Sequence, residues 1–284
     1  MSPLALIRKL TKKNKKIYFI SDSSDFHRLS KSFNENTVLS IDTEFDWRNT
    51  YFPNISLLQI GFSNEIYIID CLACNPANLV KGFLESISHL KIFHSSRSDA
   101  TILSKCLGVK TLNCFDIQQG EKIIRRAEIE GYASIVKRYF HTNLDKSQTK
   151  SNWLRRPLTA KQIEYAANDV DYLLEIYHIQ RKLLDRKNKL QEAINLTKKE
   201  VDLGNEDLSN SRIRKIKKKY SKEYLSIFLW REKVAIQENL PPKKILRDEN
   251  IKKLIHIIED NNVKECDWII REDKHRIDFL KNFK

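Results

Sequence analysis

Short runs of β-branched and aliphatic residues, bounded by turn-forming residues, follow one another in the first part of the chain. Residues 37–44, 55–61 and 66–70 have the length and composition of strands. A loop that contains Pro53 and a short turn at Asn64 join these runs. Neither connection is long enough for a crossover helix, so we predict that the three strands are antiparallel.

The next part of the chain alternates between strand and helix patterns. Residues 91–94 and 114–117 are strand-like, and a helical pattern covers residues 98–107 between them. This order predicts a parallel pair joined by a right-handed crossover. Shorter helices are expected at residues 121–126 and 132–140. The sum is an α/β fold with a mixed five-stranded sheet and flanking helices.

A longer helix is expected to begin at Thr159, because Thr159 and Gln162 have the spacing of a capping box. Its apolar residues fall on one stripe at helical spacing, which predicts a face buried in the core. The stripe contains Ile163, Ala166, Ala167, Val170, Leu173, Leu174 and Tyr177.

A polar and then strongly basic stretch separates this helix from a second group of helical patterns. The basic run, residues 212–219, ends a predicted linker over residues 191–219. Beyond it, residues 224–238 and 249–258 have amphipathic helix patterns. The expected divisions are a basic N-terminal arm over residues 1–17, an α/β domain over 18–190, the linker, and a small all-α domain over 220–284.

The composition argues against several classes of protein and suggests a polyanionic partner. The 284 residues are 41% hydrophobic, with 6 Gly, 6 Pro and no apolar run long enough to span a membrane, so collagen-like, disordered and membrane-spanning chains are disfavoured. The 51 Lys and Arg exceed the 37 Asp and Glu, giving a formal net charge of +14. Clustered basic residues bind phosphate backbones through counterion release. Nucleic acid is therefore one candidate partner, and a Lys-rich bias of the whole proteome is the alternative.

The five cysteines are odd in number and scattered, and we find no secretory signal before them, so we expect a reducing compartment, the cytoplasm. Cys71 and Cys74 have the spacing of half a zinc site, but no second pair or His cluster accompanies them. We expect these two thiols to be structural. The basic arm lacks the apolar core of a signal peptide, and a transit peptide is the alternative to a solvated arm.

Three groups of residues carry candidate chemistry. Asp42 and Glu44 are two positions apart in a predicted strand, so both carboxylates project from one face. Tyr165 and Asp169 are four apart on the long helix, on the flank of its apolar stripe. Asp99 follows the fourth predicted strand. A divalent cation would compensate the two acids of the strand, and a solvated acidic face is the alternative for that pair. For Tyr165 and Asp169 the alternative is an exposed helix flank, and for Asp99 it is a helix N-cap.

In this order, the three groups resemble the exonuclease motifs of the DEDD superfamily of 3'-5' exonucleases. The motif segments are residues 41–46, 94–99 and 165–170. Residues 145–158 are similar to the stretch that precedes the third motif in ribonuclease D, and the resemblance covers roughly residues 18–185. Residues 229–248 resemble the first half of an HRDC domain, the helical module that follows the nuclease domain in that family.

The resemblance implies a ribonuclease H-like fold followed by one HRDC-like domain. It also implies that the carboxylates of Asp42, Glu44, Asp99 and Asp169 bind two divalent ions, Mg or Mn, whose preference for hard oxygen ligands agrees with this set. Tyr165 is then the residue that orients or helps to deprotonate the attacking water.

The implied activity is the 3'-5' trimming of RNA that has a free 3' end, such as a tRNA precursor, with release of 5'-mononucleotides. One subclass of the superfamily has a histidine five residues before the last aspartate; that position here is Glu164, whereas Tyr165 lies four before it, so the tyrosine subclass is the match. A DNA 3'-5' exonuclease and a non-catalytic RNA-binding module are the alternatives. The latter predicts loss of an acid, whereas all four are present. We expect a monomer and no membrane partner.

Candidates for nucleic-acid contacts lie beside the motifs and in the basic segments. Phe45, Trp47 and Leu57 are apolar residues near the first motif that could wedge terminal bases, although each also suits a core position. His94, in the second motif, is a candidate contact whose alternative is a packed structural role. Basic side chains are candidates for phosphate contacts, with a solvated linker or helix face as the alternative. These are Lys13, Lys15, Lys16, Lys182, Arg212 and Lys215.

Overall fold

The computed structural model describes residues 15–32, 36–260 and 262–283. It divides into two compact units. The first contains the described residues up to Asp46 and the segment Asn54–Asn205. The second contains the segment Trp47–Pro53 and the described residues from Glu206 onward. The first unit has the mixed α/β fold that the sequence predicts.

The first unit is built on a six-stranded sheet with the order β1-β4-β3-β2-β5-β6. Its strands are β1 Lys16–Ile20, β2 Val38–Asp46, β3 Asn54–Phe62, β4 Glu65–Asp70, β5 Leu90–Phe93 and β6 Cys114–Asp116. The pairs β2-β3 and β3-β4 are antiparallel, as predicted from their short connections. The pairs β1-β4, β2-β5 and β5-β6 are parallel. Buried apolar residues cover both faces of the sheet, as Leu57 and Leu58 on β3 show by belonging to separate clusters.

The prediction of five strands was wrong, because β1 adds a sixth at the edge of the sheet. Ile17 and Phe19 on β1 are 49% and 39% exposed, whereas Ile20 is buried. An edge strand with both faces partly in solvent has no alternation of apolar and polar residues to identify it. The strand also begins within the predicted basic N-terminal arm, residues 1–17. The rest of the predicted N-terminal arm, residues 1–14 with Lys13, lies outside the described residues.

Helices flank the sheet of the first unit. They are α1 Phe26–Ser32, α2 Ala77–Leu84, α3 Ser96–Leu107, α4 Ile117–Arg125, α5 Tyr132–Phe140, α6 Ala160–Asp171, α7 Leu173–Arg186 and α8 Leu190–Asn205. The predicted capping box opens α6, since Thr159 Oγ1 accepts from Gln162 N at 3.2 Å and Gln162 Oε1 accepts from Thr159 N at 3.0 Å. Within the predicted stripe, Ala166, Ala167, Val170, Leu173 and Tyr177 are buried and Ile163 and Leu174 are partly so.

The predicted long helix is interrupted at Tyr172, which separates α6 from α7. The hydroxyl of Tyr132, on α5, donates to Asn168 O at 3.1 Å and accepts from Tyr172 N at 3.2 Å. These are the two main-chain groups that an uninterrupted helix would join to each other. A side chain inserted between them is a known cause of a helix break.

The predicted linker over residues 191–219 is helical instead. Its first part belongs to α8, which packs on α3 and on β6. Ala193 and Thr197 on this helix have no exposed surface, and Thr197 Oγ1 accepts from Asp116 N of β6 at 3.0 Å. A Cβ atom on Gly204 would lie 2.5 Å from the carbonyl oxygen of Arg97 on α3. Because these contacts use small residues, α8 shows no marked apolar stripe in the sequence. The rest of the segment includes helix α9, Leu208–Ile216, in the second unit.

The second unit is helical. It continues with α10 Lys222–Glu238, α11 Pro242–Ile245, α12 Asp248–Glu259, α13 Cys266–Ile269 and α14 Asp273–Phe283. The segment Trp47–Pro53, which connects β2 to β3, is part of its core. Tyr51 is 1% exposed, its hydroxyl donates to Glu232 Oε2 at 3.0 Å, and the Arg212 guanidinium lies 4.6 Å from its ring centre. We find no helix among the described residues with the length and hydrophobicity of a transmembrane span.

Candidate active site

Strand β2, which lies between β3 and β5 in the strand order, carries Asp42 and Glu44. These two residues pair with Gln59 and Leu57 of β3, beyond the part of β2 that pairs with β5. The two side chains share a face because they are two positions apart on a strand. Helix α6 packs against β2 and carries Asp169. Carboxylate oxygens of Asp42, Glu44 and Asp169 lie within 4.8 Å of one another. The structure thus brings together acids of the first and third motifs, which are more than a hundred residues apart in the sequence.

Asp99 lies in the first turn of α3 and is 4% exposed. Its Oδ1 accepts a hydrogen bond of 2.6 Å from the hydroxyl of Thr43, the residue between Asp42 and Glu44. Sequence reasoning assigned no role to Thr43, because alternation along the strand points its side chain away from the face of the two acids. The bond joins the first motif to the second.

The N-terminus of α3, and with it Asp99, is held by a buried carboxylate that sequence reasoning also missed. Asp116, at the end of β6, has no exposed surface. Its Oδ1 accepts from Ser95 N at 3.0 Å and its Oδ2 accepts from Ser96 N at 2.8 Å. It also accepts from Gln118 N at 2.8 Å and so caps α4. Ser95 has a left-handed conformation with φ of 65°, which this pair of bonds helps to stabilise.

The acids raise one another's pKa values. Burial, and then the charges of Asp99 and Asp169, raise the pKa of Asp42 well above its usual range. Burial and the same two charges raise the pKa of Glu44 to about 9. The pKa of Asp169 rises to about 8, chiefly through burial and then through Asp99. Burial raises the pKa of Asp99 to about 7, against the lowering effect of its bond from Thr43.

This donor set fits a divalent cation. Hard carboxylate oxygens are the ligands that Mg²⁺ and Mn²⁺ select. Several carboxylates buried together are costly unless they are protonated or positively charged partners compensate them. A divalent ion would supply that charge at the point where the oxygens of Asp42, Glu44 and Asp169 converge. The thiols of Cys71 and Cys74 join no cluster of potential metal ligands among the described residues, and each is within hydrogen-bonding distance of a main-chain carbonyl.

Tyr165 lies one helical turn before Asp169 on α6. Its hydroxyl is 3.3 Å from Thr149 Oγ1, and its ring centre is 5.8 Å from that of Trp153. Burial, and then the Asp169 charge, raise its pKa above the usual tyrosine range, so the hydroxyl is protonated at neutral pH. Both neighbours come from the 145–158 stretch that resembles ribonuclease D. That stretch therefore packs beside Tyr165.

An ion pair fixes this stretch to the sheet. The Arg156 guanidinium bonds both oxygens of Asp70, at the end of β4, at 2.6 Å each. The hydroxyl of Ser56, on β3, donates to Trp153 O at 2.5 Å. Burial favours the neutral form of Asp70, but hydrogen bonds from Arg156 and Leu72 N outweigh it and lower its pKa.

The apolar candidates for base contacts have different environments. Phe45 lies on β2, next to Glu44, and is partly exposed. The indole of Trp47 donates to Tyr51 O at 2.8 Å within the second unit. Leu57 has no exposed surface and packs in the core of the first unit, so its assignment as a base contact was wrong. A strand with both faces covered gives no alternation by which Leu57 could have been recognised as core.

His94 and Arg212 are held by other protein groups. His94 Nε2 lies 3.0 Å from Glu130 O, and the imidazole packs on the Tyr132 ring at 5.6 Å between centres. Burial lowers the pKa of His94. These contacts favour the structural alternative. Arg212 Nη1 lies 2.7 Å from Glu232 Oε2 in the second unit, so its guanidinium is already engaged, contrary to the phosphate role expected for it.

The lysine candidates also differ. Lys15 Nζ lies 3.0 Å from Asp171 Oδ1 and 3.7 Å from Glu175 Oε1, with a side chain only 6% exposed, so its assignment to a phosphate-binding surface was wrong. Lys16, Lys182 and Lys215 are exposed. These three remain available to a polyanion.

Three comparisons with known proteins agree with this geometry. Residues 17–185 match the family model described as a 3'-5' exonuclease. The chain is 31% identical over 240 residues to the ribonuclease D of Desulfotalea psychrophila, covering 81% of this chain and 64% of that protein. It is 26% identical over 268 residues to the ribonuclease D of Pseudomonas paraeruginosa, covering 91% of this chain and 70% of that protein.

The crystal structure of Escherichia coli RNase D, described as an exoribonuclease involved in structured RNA processing, superposes with a TM-score of 0.75 at 26% identity. That match covers 83% of this chain and 65% of the E. coli chain. The chain thus spans less than two thirds of the length of the Desulfotalea relative and of the E. coli structure. Since the family model matches more than half of the chain, the protein belongs to the 3'-5' exonuclease family.

Proposed function

We propose that this protein is a 3'-5' exoribonuclease of the ribonuclease D type. It trims RNA with a free 3' end, tRNA precursors among them, and releases 5'-mononucleotides. The observation that carries the proposal is the convergence of the Asp42, Glu44 and Asp169 carboxylates, with Asp99 beside them, in a member of the 3'-5' exonuclease family. The ribonuclease D relatives and the E. coli structure support RNA as the substrate.

Asp42, Glu44, Asp99 and Asp169 are the proposed ligands of two divalent ions, Mg or Mn. When bound, such a pair lowers the pKa of the attacking water and stabilises the leaving 3'-oxygen of an in-line displacement at phosphorus. The acids must be ionised to act as ligands, and their raised pKa values mean that they lose protons on binding. Thr43, by its bond to Asp99 Oδ1, leaves Oδ2 as the oxygen available to a ligand.

Tyr165 is proposed to orient the attacking water, which assigns the protein to the tyrosine subclass. Its protonated hydroxyl can donate a hydrogen bond, and Thr149 Oγ1 at 3.3 Å restricts the directions it can take. Phe45, partly exposed beside Glu44, is the apolar side chain best placed for contact with the terminal base. Lys16, Lys182 and Lys215 are the remaining candidates for phosphate contacts.

The second unit is proposed to be an HRDC-like domain that holds folded RNA. The helices α10 to α12 supply the HRDC-like pattern, in which the buried Arg231 donates to Leu246 O at 3.0 Å and pairs with Asp248. We further propose a monomer in the cytoplasm. The exonuclease unit extends through α8 to Asn205 rather than to residue 190.

The test is a comparison of substrates with product analysis. 5'-Labelled RNA with a 3'-extended tRNA structure, unstructured RNA and single-stranded DNA of equal length are incubated with Mg²⁺ or Mn²⁺, and with EDTA as the control. We expect stepwise shortening of the RNAs, release of 5'-mononucleotides and no reaction in EDTA. Tyr165→Phe should slow the reaction about 100-fold, the lower end of the range for a positioned acid-base group. DNA degraded as fast as RNA, or products of internal cleavage, would refute the proposal.

A further inference from the structure

The second unit contains a groove of about 360 Å³ between the α11-α12 segment and the α13-α14 segment. Lys243, Lys244, Arg247 and Arg271 line it, together with Trp268. A site of about 300–1,000 Å³ is typical for small ligands. Four cationic side chains around one indole make this groove a different kind of surface from the acidic cluster of the first unit.

Trp268 is 88% exposed although the helix that carries it is firmly anchored. On either side of it, Cys266 and Ile270 have no exposed surface. Asp267 lies 2.9 Å from the guanidinium Nε of Arg276 on α14. The exposure of the indole is therefore a property of the folded unit rather than of a frayed end. A large aromatic surface left in water is unfavourable until a partner covers it.

The walls of the groove are preformed. Ile245 and Leu246 are buried, and the Arg231 guanidinium donates to Leu246 O at 3.0 Å, which fixes the wall next to Lys244. On the opposite side, the buried imidazole of His275 lies 2.8 Å from Glu238 Oε1. The buried residues of these walls are already ordered before a ligand enters, so binding costs little conformational entropy there.

The groove has an excess of positive charge. Glu272 also lines it, but its carboxylate lies 3.5 Å from Lys274 Nζ, and Arg247 lies 3.6 Å from Glu249. Lys243, Lys244 and Arg271 form no ion pair within residues 15–32, 36–260 and 262–283. An anion is therefore the charge that complements the groove.

We propose that this groove binds an unpaired nucleotide of a single strand, with its base stacked on Trp268 and its flanking phosphates on Lys243, Lys244 and Arg271. An aromatic face among cationic side chains is the combination that holds single-stranded nucleic acid, because stacking takes the base and the charges take the backbone. A base within a duplex is already stacked and cannot offer its face to the indole. The identification of the strand as RNA rests on the proposed function. The proposal that the groove binds a single strand does not depend on that function.

The experiment measures binding without cleavage. The full chain carrying Asp42→Asn, in EDTA, is titrated into a labelled single-stranded RNA and into a duplex RNA, and fluorescence anisotropy gives each affinity. Trp268→Ala should weaken single-strand binding about five-fold or more and leave duplex binding nearly unchanged, whereas Trp268→Phe should retain most of the affinity. Arg271→Gln should reduce the slope of log affinity against log salt by about 1. Ile277→Ala and Lys253→Gln, exposed positions outside the groove, are the matched controls.

Equal affinity of Trp268→Ala and its parent for the single strand would overturn the proposal. So would an equal loss for single strand and duplex, since that result excludes stacking. Unchanged far-UV circular dichroism and melting of the variant establish that it is folded. The proposed function fails separately: a protein that binds through this groove but hydrolyses no RNA with Mg²⁺ or Mn²⁺ would refute the nuclease assignment and leave the groove intact.

Discussion

The hydroxyl of Thr43 donates to Oδ1 of Asp99 at 2.6 Å, between two residues that are 56 positions apart. Both residues are buried, at 5% and 4% exposure. The bond occupies one oxygen of a proposed metal ligand and fixes the orientation of the other. Thr43 is therefore a positioning residue for Asp99, and Asp116 has a similar relation to the helix that carries Asp99.

Replacement of Thr43 tests this relation. Thr43→Val removes the donor at nearly constant volume, and we expect Mn²⁺ affinity to fall about 10–100-fold, the usual effect of losing a partner of a metal ligand. Thr43→Ser keeps the hydroxyl and should keep most of the affinity. The bond lowers the pKa of Asp99, so its loss raises that pKa and should move the acid limb of the activity profile to higher pH. Calorimetric titration with Mn²⁺ and a pH profile measure both effects. An unchanged affinity and profile in Thr43→Val would contradict the positioning role.

The Tyr132 hydroxyl is inserted between Asn168 O and Tyr172 N, so we expect its removal to affect both stability and activity. Tyr132→Phe removes both hydrogen bonds and should lower the free energy of unfolding by about 1–3 kcal/mol. Because Asn168 precedes Asp169, we also expect a lower kcat with little change in KM. Urea unfolding and steady-state kinetics on a short RNA provide the measurements. Tyr220→Phe, a partly exposed tyrosine of the second unit, is the control. Wild-type stability in Tyr132→Phe would show that the inserted hydroxyl is dispensable.

We expect the buried Lys91 to make the free energy of unfolding depend on pH in the alkaline range. Its side chain has no exposed surface, Nζ donates to Ser86 O at 2.7 Å and His89 O at 2.8 Å, and burial lowers its pKa to about 8. Between pH 8 and the unfolded value of about 10.4, the unfolded chain binds more protons at this site than the folded one. The Lys91 contribution to stability must therefore rise with pH across that window. Urea unfolding of wild type and Lys91→Met at pH 7.5 to 10 tests this, because the unfolding free energy of wild type minus that of Lys91→Met should rise with pH. A constant difference would contradict the lowered pKa.

We expect the first unit to lose stability and activity when the chain is truncated before the second unit. A truncation after Glu200, which the predicted linker would have permitted, severs α8 and removes Glu232, the acceptor of the Tyr51 hydroxyl. Since the segment Trp47–Pro53 connects β2 to β3, we expect a chain that ends at Asn205 to have a lower melting temperature and weaker activity even on dinucleotides. Tyr51→Phe in the full chain is the milder variant and should lose about 1 kcal/mol of stability. Full dinucleotide activity in the truncated chain would restore the linker interpretation.

Sequence reasoning located five of the six strands and the motif acids, because both depend on local spacing. Asp42 and Glu44 share a face on any strand, and Thr159 with Gln162 cap a helix wherever it packs. Pairings between distant residues carry no such signal: the Thr43-Asp99 bond and the Arg156-Asp70 ion pair exist only once the chain has folded.

The errors have the same physical origin. The edge strand β1 has no alternation of apolar and polar residues, α8 packs through small residues, and Leu57 lies in a strand covered on both faces. None of the three therefore shows the hydrophobic periodicity from which its structure or its burial could be predicted. The predicted phosphate contacts have a further difficulty. Charge alone does not distinguish the exposed Lys215 from Lys15, which is buried against Asp171, or from Arg212, which is paired with Glu232.

The proposed two-metal hydrolysis is tested most directly by the rate at which a saturating amount of protein shortens a 5'-labelled RNA in Mn²⁺. Asp42→Asn preserves the shape of the residue and removes a charged ligand, and Asp185→Asn makes the same change at an exposed site on α7. Loss of several kcal/mol of transition-state stabilisation predicts a rate about 1,000-fold lower for Asp42→Asn. Asp185→Asn should retain the wild-type rate. A wild-type rate in a correctly folded Asp42→Asn would contradict the account.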